Sequence, residues 1–189
     1  MKKGIVLALV LLLGGCGSGD NNHYYQLPVT ADTAGAQRIS TTSSQRHIWV
    51  SRVNLSDFLA GNGVVYQASD VRYVTAGNNL WASPLEQQLQ QAMVINLGNA
   101  LPGTLVSATP ASGEQDTLEL NITGFHGRYD GRVIIQGVAL LTHQQQIIRY
   151  PFALTLKQDQ DGYDALVRTL AQGWLQVGQT LAGQVSAIR

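Results

Sequence analysis

Near its C-terminus the chain repeats apolar side chains at helical spacing: Tyr163, Leu166, Val167, Leu170, Trp174, Val177, Leu181, Val185 and Ile188. No other feature constrains the fold as much, because an apolar stripe this continuous must be covered by a sheet face or by another subunit. The segments just before it supply a sheet. Residues 117–125, 132–142 and 147–157 read as strands; Ile148, Tyr150, Phe152, Leu154 and Leu156 alternate with Arg149, Pro151, Ala153 and Thr155, which predicts an antiparallel meander. Tyr129-Asp130-Gly131 and residues 143–146 are short enough for hairpin connections. Pro151, with no N–H to give a ladder, belongs on an edge strand or at a bulge. The closing helix is expected to begin near Asp161, with Asp164 completing a capping box. Gly173, Gly178 and Gly183, each about 1 kcal/mol worse than Ala in a helix, read as marks either of close helix approach or simply of a looser helix.

The earlier half repeats the pattern on a smaller scale. Residues 23–28, aromatic and closed by Pro28, predict a short strand, and the Ser/Thr/Ala/Gly-rich stretch 30–46 a loop. Residues 47–55 are rich in β-branched side chains and predict a strand, followed by a turn at 57–61. Residues 64–67 and 71–74 form a candidate hairpin around Ser69-Asp70. A first helix is expected with Ser83 as N-cap, Pro84 at its first position and Glu86 closing a capping box. Leu85, Leu89, Ala92, Met93 and Leu97 form its dry stripe, Gln87, Gln88, Gln90 and Gln91 its wet side, and Pro102-Gly103 its end. A strand at 105–108 follows. The predicted fold class is α+β: a two-layer sandwich, mainly antiparallel sheet, with two helices packed on one face.

The N-terminus fixes a compartment. Lys2 and Lys3 precede an apolar run, 5–13, and then Gly14-Gly15-Cys16, the arrangement of a lipoprotein signal whose small residues admit a signal peptidase before the cysteine. The run is shorter than the roughly 20 apolar residues that cross a bilayer, which disfavours a transmembrane anchor with an incidental cysteine. Residues 1–15 are therefore read as a cleaved signal, 16–22 as a lipidated Gly/Ser-rich tether, and 23–189 as a single domain. Cys16 is the only cysteine of the chain. Its thiol would be consumed as a thioether to diacylglycerol, with an N-acyl chain (palmitate or similar) on its amine, and several buried methylenes at about 0.8 kcal/mol each make that anchor stable. Gly17 follows it; in Gram-negative lipoproteins Asp there retains the protein at the inner membrane, so Gly17 points to the outer membrane, periplasmic face. Loss of Lys2 and Lys3 leaves ten basic against twelve acidic residues, with Lys157 the one lysine, and so no basic patch for nucleic acid.

Catalytic chemistry finds little support. His23, His47, His126 and His143 are scattered without metal-ligand spacing, and neither a Gly-x-Ser-x-Gly elbow nor a P-loop is present. The stretch 124–131, Gly-Phe-His-Gly-Arg-Tyr-Asp-Gly, mixes His, Arg and Asp, but turn chemistry accounts for Asp130-Gly131. No catalytic residue, metal site or cofactor is predicted, and the chain is not read as an enzyme.

In order along the chain, the lipobox, Tyr24-Tyr25-Gln26-Leu27-Pro28, the 47–59 segment ending in Asp57-Phe58-Leu59, the 64–74 hairpin and Trp81-Ala82-Ser83-Pro84-Leu85 resemble the ABC-type transport auxiliary lipoprotein family. The resemblance implies a role in phospholipid transport between two membranes. The partners it implies are a mammalian-cell-entry (MCE) conduit protein that spans the periplasm and a permease-like inner-membrane protein. It also suits a homo-oligomer, for instance a ring matching the end of the conduit. Two other classes compete: a lipid or small-ligand binding module, which would need an unfilled gap between strands and helices, and a periplasmic hydrolase, which would need a convergent polar site.

Overall fold

The computed structural model describes residues 21–29 and 46–188. One sheet of eight strands carries two helices on one face: β1 (His23–Tyr25), β2 (His47–Leu55), β3 (Gly63–Gln67), β4 (Tyr73–Trp81), α1 (Leu85–Ala100), β5 (Leu105–Ser107), β6 (Asp116–Arg128), β7 (Arg132–His143), β8 (Gln146–Lys157) and α2 (Tyr163–Ser186). This is the expected α+β sandwich, and β6–β7–β8 is the expected antiparallel meander. The sheet as a whole is mixed, since β1 runs parallel to β4 while β2 runs parallel to both β5 and β6.

The long strand β6 organises the rest. One edge pairs with β7; the other pairs first with β2, up to Leu55↔Ile122, and then with β3, at Tyr66↔Gly127 and Gln67↔Arg128. Between those partners a 3-10 turn, Asp57–Leu59, fills the gap, with Leu59 buried and the Ser56 amide bonded to the Ile122 carbonyl. The register of β6 shifts between Ile122 and Gly124 at this level. β8 is an edge strand, paired with β7 alone, as Pro151 requires. The β7–β8 turn is a two-residue connection in which Gln144 (φ 48) and Gln145 (φ 66) are both left-handed, the demand of a primed hairpin turn.

The α2 stripe is buried from Leu166 to Val185. Trp174 stacks edge-on to Phe125 and Phe152, both at 6.0 Å between ring centroids, and its indole N–H donates to the Leu89 carbonyl of α1 at 3.0 Å. Gly173 lets α2 sit directly on the sheet, where a Cβ would overlap Ile135 and Leu156; Gly178 faces Asn96 of α1; Gly183 faces open space and marks no approach.

Both helix starts differ from expectation. Pro84, at φ −48 and ψ 130, is itself the N-cap of α1, and its carbonyl takes the first helical amides. The Ser83 hydroxyl instead donates to Gln26. α2 begins after Gly162, with no side-chain cap from Asp161 or Asp164. Gln88, expected on the wet side, is 2% exposed. The polar residues 75–79, which lack a strand pattern, continue β4 beyond the expected hairpin.

Candidate functional site

The segment that would carry the anchor is bound firmly to the domain. β1 pairs with the last three residues of β4, His23↔Asn79 to Tyr25↔Trp81, and the Ala82 amide donates to the Tyr25 carbonyl. The Tyr25 hydroxyl donates to Asn79 at 3.1 Å. Burial, and next the neighbouring Asp164 carboxylate, push the Tyr25 phenol above its ordinary pKa. Leu27 enters the core, and its amide donates to Gln88 Oε1 at 2.8 Å while Gln88 Nε2 donates to the Ser83 carbonyl at 2.8 Å. Gln88 is thus a two-sided clip between α1 and the chain from the tether. Cys16 and most of the 30–46 loop lie outside the described residues.

A shallow cleft of about 240 Å³ runs between Leu27–Val29 and the outer surface of α1 and α2, bordered by Asn96, Arg168 and Trp174. It is not the strand–helix gap a ligand-binding module would need. That layer is filled by Phe125, Ile135, Leu170 and Trp174, all at most 1% exposed.

At the end of the sheet where β2 and β6 begin, three distant residues meet. Arg46 donates through Nε to Asp116 at 2.7 Å and through Nη1 to the carbonyls of Val185 and Ile188 at 2.8 and 3.3 Å. His143 Nδ1 donates to the other Asp116 oxygen at 2.6 Å. The guanidinium therefore caps the C-terminal carbonyls of α2 and ties them to the sheet, a favourable place for a cation. Beside it, His47 Nε2 bonds the Ser107 hydroxyl at 2.9 Å, and that hydroxyl donates onward to the Thr109 carbonyl. Among the described residues of this cluster, Ser107 beside His47 is the one hydroxyl set against an imidazole, but its proton goes to the Thr109 carbonyl and His47 Nδ1 has no hydrogen-bond partner there to orient the ring, so the pair lacks the third group of a catalytic relay.

The 124–131 stretch is also structural. His126, 2% exposed on the helix-free face, lies between Phe58 and Tyr73 at ring distances of 6.2 and 5.1 Å. Its Nδ1 contacts the Gly127 carbonyl at 2.9 Å; since a carbonyl only accepts, Nδ1 carries the proton. Burial lowers the His126 pKa, and the nearby Arg128 charge adds to that. Arg128 grips Asp130 with two bonds of 2.9 and 2.6 Å, which holds the Asp130 carboxyl below its usual range, and Gly131, at φ 73, closes the hairpin. His23 is exposed on β1, so the four histidines are not brought together. Among the described residues no three metal-capable side chains converge, and no helix is long and apolar enough to cross a membrane.

The site residues thus form an N-terminal strand clipped to an α+β sandwich and polar clusters that brace it. The chain belongs to the ABC-type transport auxiliary lipoprotein component family, whose model matches residues 25–182. It is 50% identical over 191 aligned positions, covering all of both chains, to the intermembrane transport lipoprotein PqiC of Escherichia coli K12, and equally to that of Shigella flexneri. The crystal structure of an uncharacterized protein, 51% identical, superposes with a TM-score of 0.78 over 87% of this chain and 99% of that one. A Xanthomonas campestris protein, 16% identical, shares the fold with a TM-score of 0.65 over 86% and 93%. The family is described as an auxiliary transport component, and the Escherichia coli and Shigella flexneri relatives are named as transport lipoproteins; on that kinship the chain is not an enzyme.

Proposed function

We propose that the protein is an outer-membrane lipoprotein of an MCE-type intermembrane phospholipid transport system. Residues 1–15 are removed as a signal, and Cys16 receives the diacylglycerol thioether and N-acyl chain that hold the domain on the periplasmic face. There it docks a PqiB-like conduit, which works with a PqiA-like inner-membrane partner, and so supports membrane integrity; the docking unit is a homo-oligomer, in the form of a ring. The observation that carries this reading is the 50% identity to PqiC, which spans this chain from end to end and so includes its signal segment and Cys16. The polar clusters among the described residues, which brace the fold, are consistent with a domain that acts by contact.

Fractionation tests the anchor and the address. Cys16→Ala should leave an unlipidated, uncleaved precursor, and Gly17→Asp should move the mature protein toward the inner membrane. A wild-type protein found soluble would refute the anchor, and unchanged sorting of Gly17→Asp the address. In a strain lacking redundant transport systems, Cys16→Ala should lose resistance to detergent stress while His126→Ala and Asp130→Ala, at equal protein level, keep it.

A further inference from the structure

The sheet has one end on which exposed apolar side chains collect. Because β3 runs parallel to β6 with Gln67 opposite Arg128, the β3–β4 turn (68–72) and the β6–β7 turn (129–131) project from the same end. Val71 is 83% exposed, Tyr129 56%, Val74 49% and Tyr73 44%, with Phe58, 38% exposed, stacked on Tyr73 at 4.9 Å. Of the other large apolar side chains exposed among the described residues, Tyr24 lies on β1 and Ile147 at the opposite end. Scattered apolar exposure is ordinary, but a cluster on two adjoining hairpin tips is not. Arg72 and Lys157 stand at this end without an ion pair among the described residues, while Arg128 and Arg132 share Asp130, and Asp70 borders Val71.

The chain that leads to the anchor points the same way. β1 is parallel to β4, so the polypeptide upstream of His23 leaves Asn79 in the direction of Tyr73 and the 68–72 turn. From Asn79 back to Tyr73 is six residues, about 20 Å at roughly 3.3 Å each. Cys16 precedes His23 by seven residues, which can span at most about 25 Å. Even fully extended, those seven residues carry the sulfur only about 5 Å past the level of Tyr73, about the level of the turn itself, so on the lipid-anchor reading the bilayer is kept close to that end.

Resting on the lipid-anchor reading, we propose that the two hairpin tips form a second membrane contact. Val71, Tyr73 and Tyr129 enter the boundary between headgroups and acyl chains, where Tyr, apolar along its ring and polar at its tip, is favoured. Anchor and tips together fix the domain upright, with the α2 C-terminus and the β7–β8 turn facing the periplasm. Asp159 and Asp161 lie in the 158–162 loop at the same end, where the Gln158 amide donates to the Gly131 carbonyl, and with Asp70 and Asp130 they balance Arg72, Arg128, Arg132 and Lys157, so the contact is apolar and depends little on anionic lipid.

Acylation of Cys16 leaves the mature chain without a free thiol, so a cysteine introduced at one end can be labelled alone. Acylated protein, verified by mass, carrying a polarity-sensitive fluorophore at Val71→Cys or at Ile147→Cys, is placed on phosphatidylethanolamine/phosphatidylglycerol vesicles containing a nitroxide-labelled lipid. The label at position 71 should shift to the blue and lose most of its emission, and that at 147 should do neither, at low and high phosphatidylglycerol content alike. Co-flotation with vesicles reports the anchor separately, so failure of the anchor reading shows as absent flotation and takes the proposal with it. Flotation with an unquenched label at 71 overturns the membrane contact and leaves the anchor standing. A blue shift at 71 that needs high protein concentration, or an added conduit protein, instead of lipid would assign the tips to a second copy or to that partner, and overturns it as well.

Discussion

Replacing Gln88 with Leu isolates the clip that holds the segment around Leu27 to α1. Gln88 is 2% exposed and the two side chains are of similar volume, so packing is preserved while the Leu27 amide and the Ser83 carbonyl each lose a partner at 2.8 Å. A buried polar group left unpaired costs about 1–3 kcal/mol. Leu27 is fully inside, whereas Ser83 is half-buried and its carbonyl can regain water, so the expected loss is about 2–4 kcal/mol. In a domain of this size 1 kcal/mol moves Tm by roughly 2–4 °C, which makes the fall about 4–16 °C. Urea unfolding should show the lower midpoint with an unchanged m-value, and amide exchange at Leu27 should accelerate. Gln87→Leu, on the exposed neighbour, is the control and should stay within about 0.5 kcal/mol. If Gln88→Leu matches wild type, or Leu27 exchange is unaltered, the clip does not hold the segment.

Trp174→Ala should cost about 3–5 kcal/mol in chemical denaturation by emptying the centre of the core, whereas Gln172→Asp, exposed on the other side of α2, should be tolerated; equal stability of the two would refute the assigned core face. Gly173→Val should destabilise by at least about 1–3 kcal/mol, because its side chain meets Ile135 and Leu156, and a neutral melt would show that α2 can lift from the sheet. His126 has a folded pKa below its unfolded value, so the unfolded chain binds the extra proton. Its contribution is fully present above about pH 6.5 and is lost as pH falls from there through the lowered folded value. His126→Phe, which keeps the ring contacts, should flatten that part of the stability profile in urea melts from pH 5 to 8; an identical slope would mean the imidazole does not titrate on unfolding. Replacing Gln144-Gln145 by Asn-Gly should stabilise by about 1 kcal/mol, since both residues are left-handed; a lower midpoint would contradict the turn assignment.

Elements with a strong period were legible in the sequence. The α2 stripe, the 147–157 alternation and the edge position of Pro151 emerge as read, because each burial pattern follows from local spacing. Features settled by tertiary partners were not. Gln88 looks like its wet neighbours in sequence, and only the arrival of Leu27 from 61 residues away makes it a buried bond. Ser83 has the composition of a cap but finds Gln26, so Pro84 takes its place. Arg46, Asp116 and His143 are separated by 70 and 27 residues, and no spacing rule could join them. The parallel pairing of β1 with β4, which aims the tether, leaves no local mark either. Cys16, on which the proposed anchor rests, lies outside the described residues, and its lipidation is read from the sequence alone, because a signal peptidase reads sequence and not fold.

Crosslinking in intact cells, followed by mass-spectrometric identification of what is captured by the acylated protein, tests docking most directly. Capture of an MCE-domain conduit protein, lost in Cys16→Ala and retained in His126→Ala, is the result this account predicts. Efficient crosslinks to other envelope proteins with none to an MCE-domain protein, in cells where the lipoprotein is acylated and at the outer membrane, would contradict it.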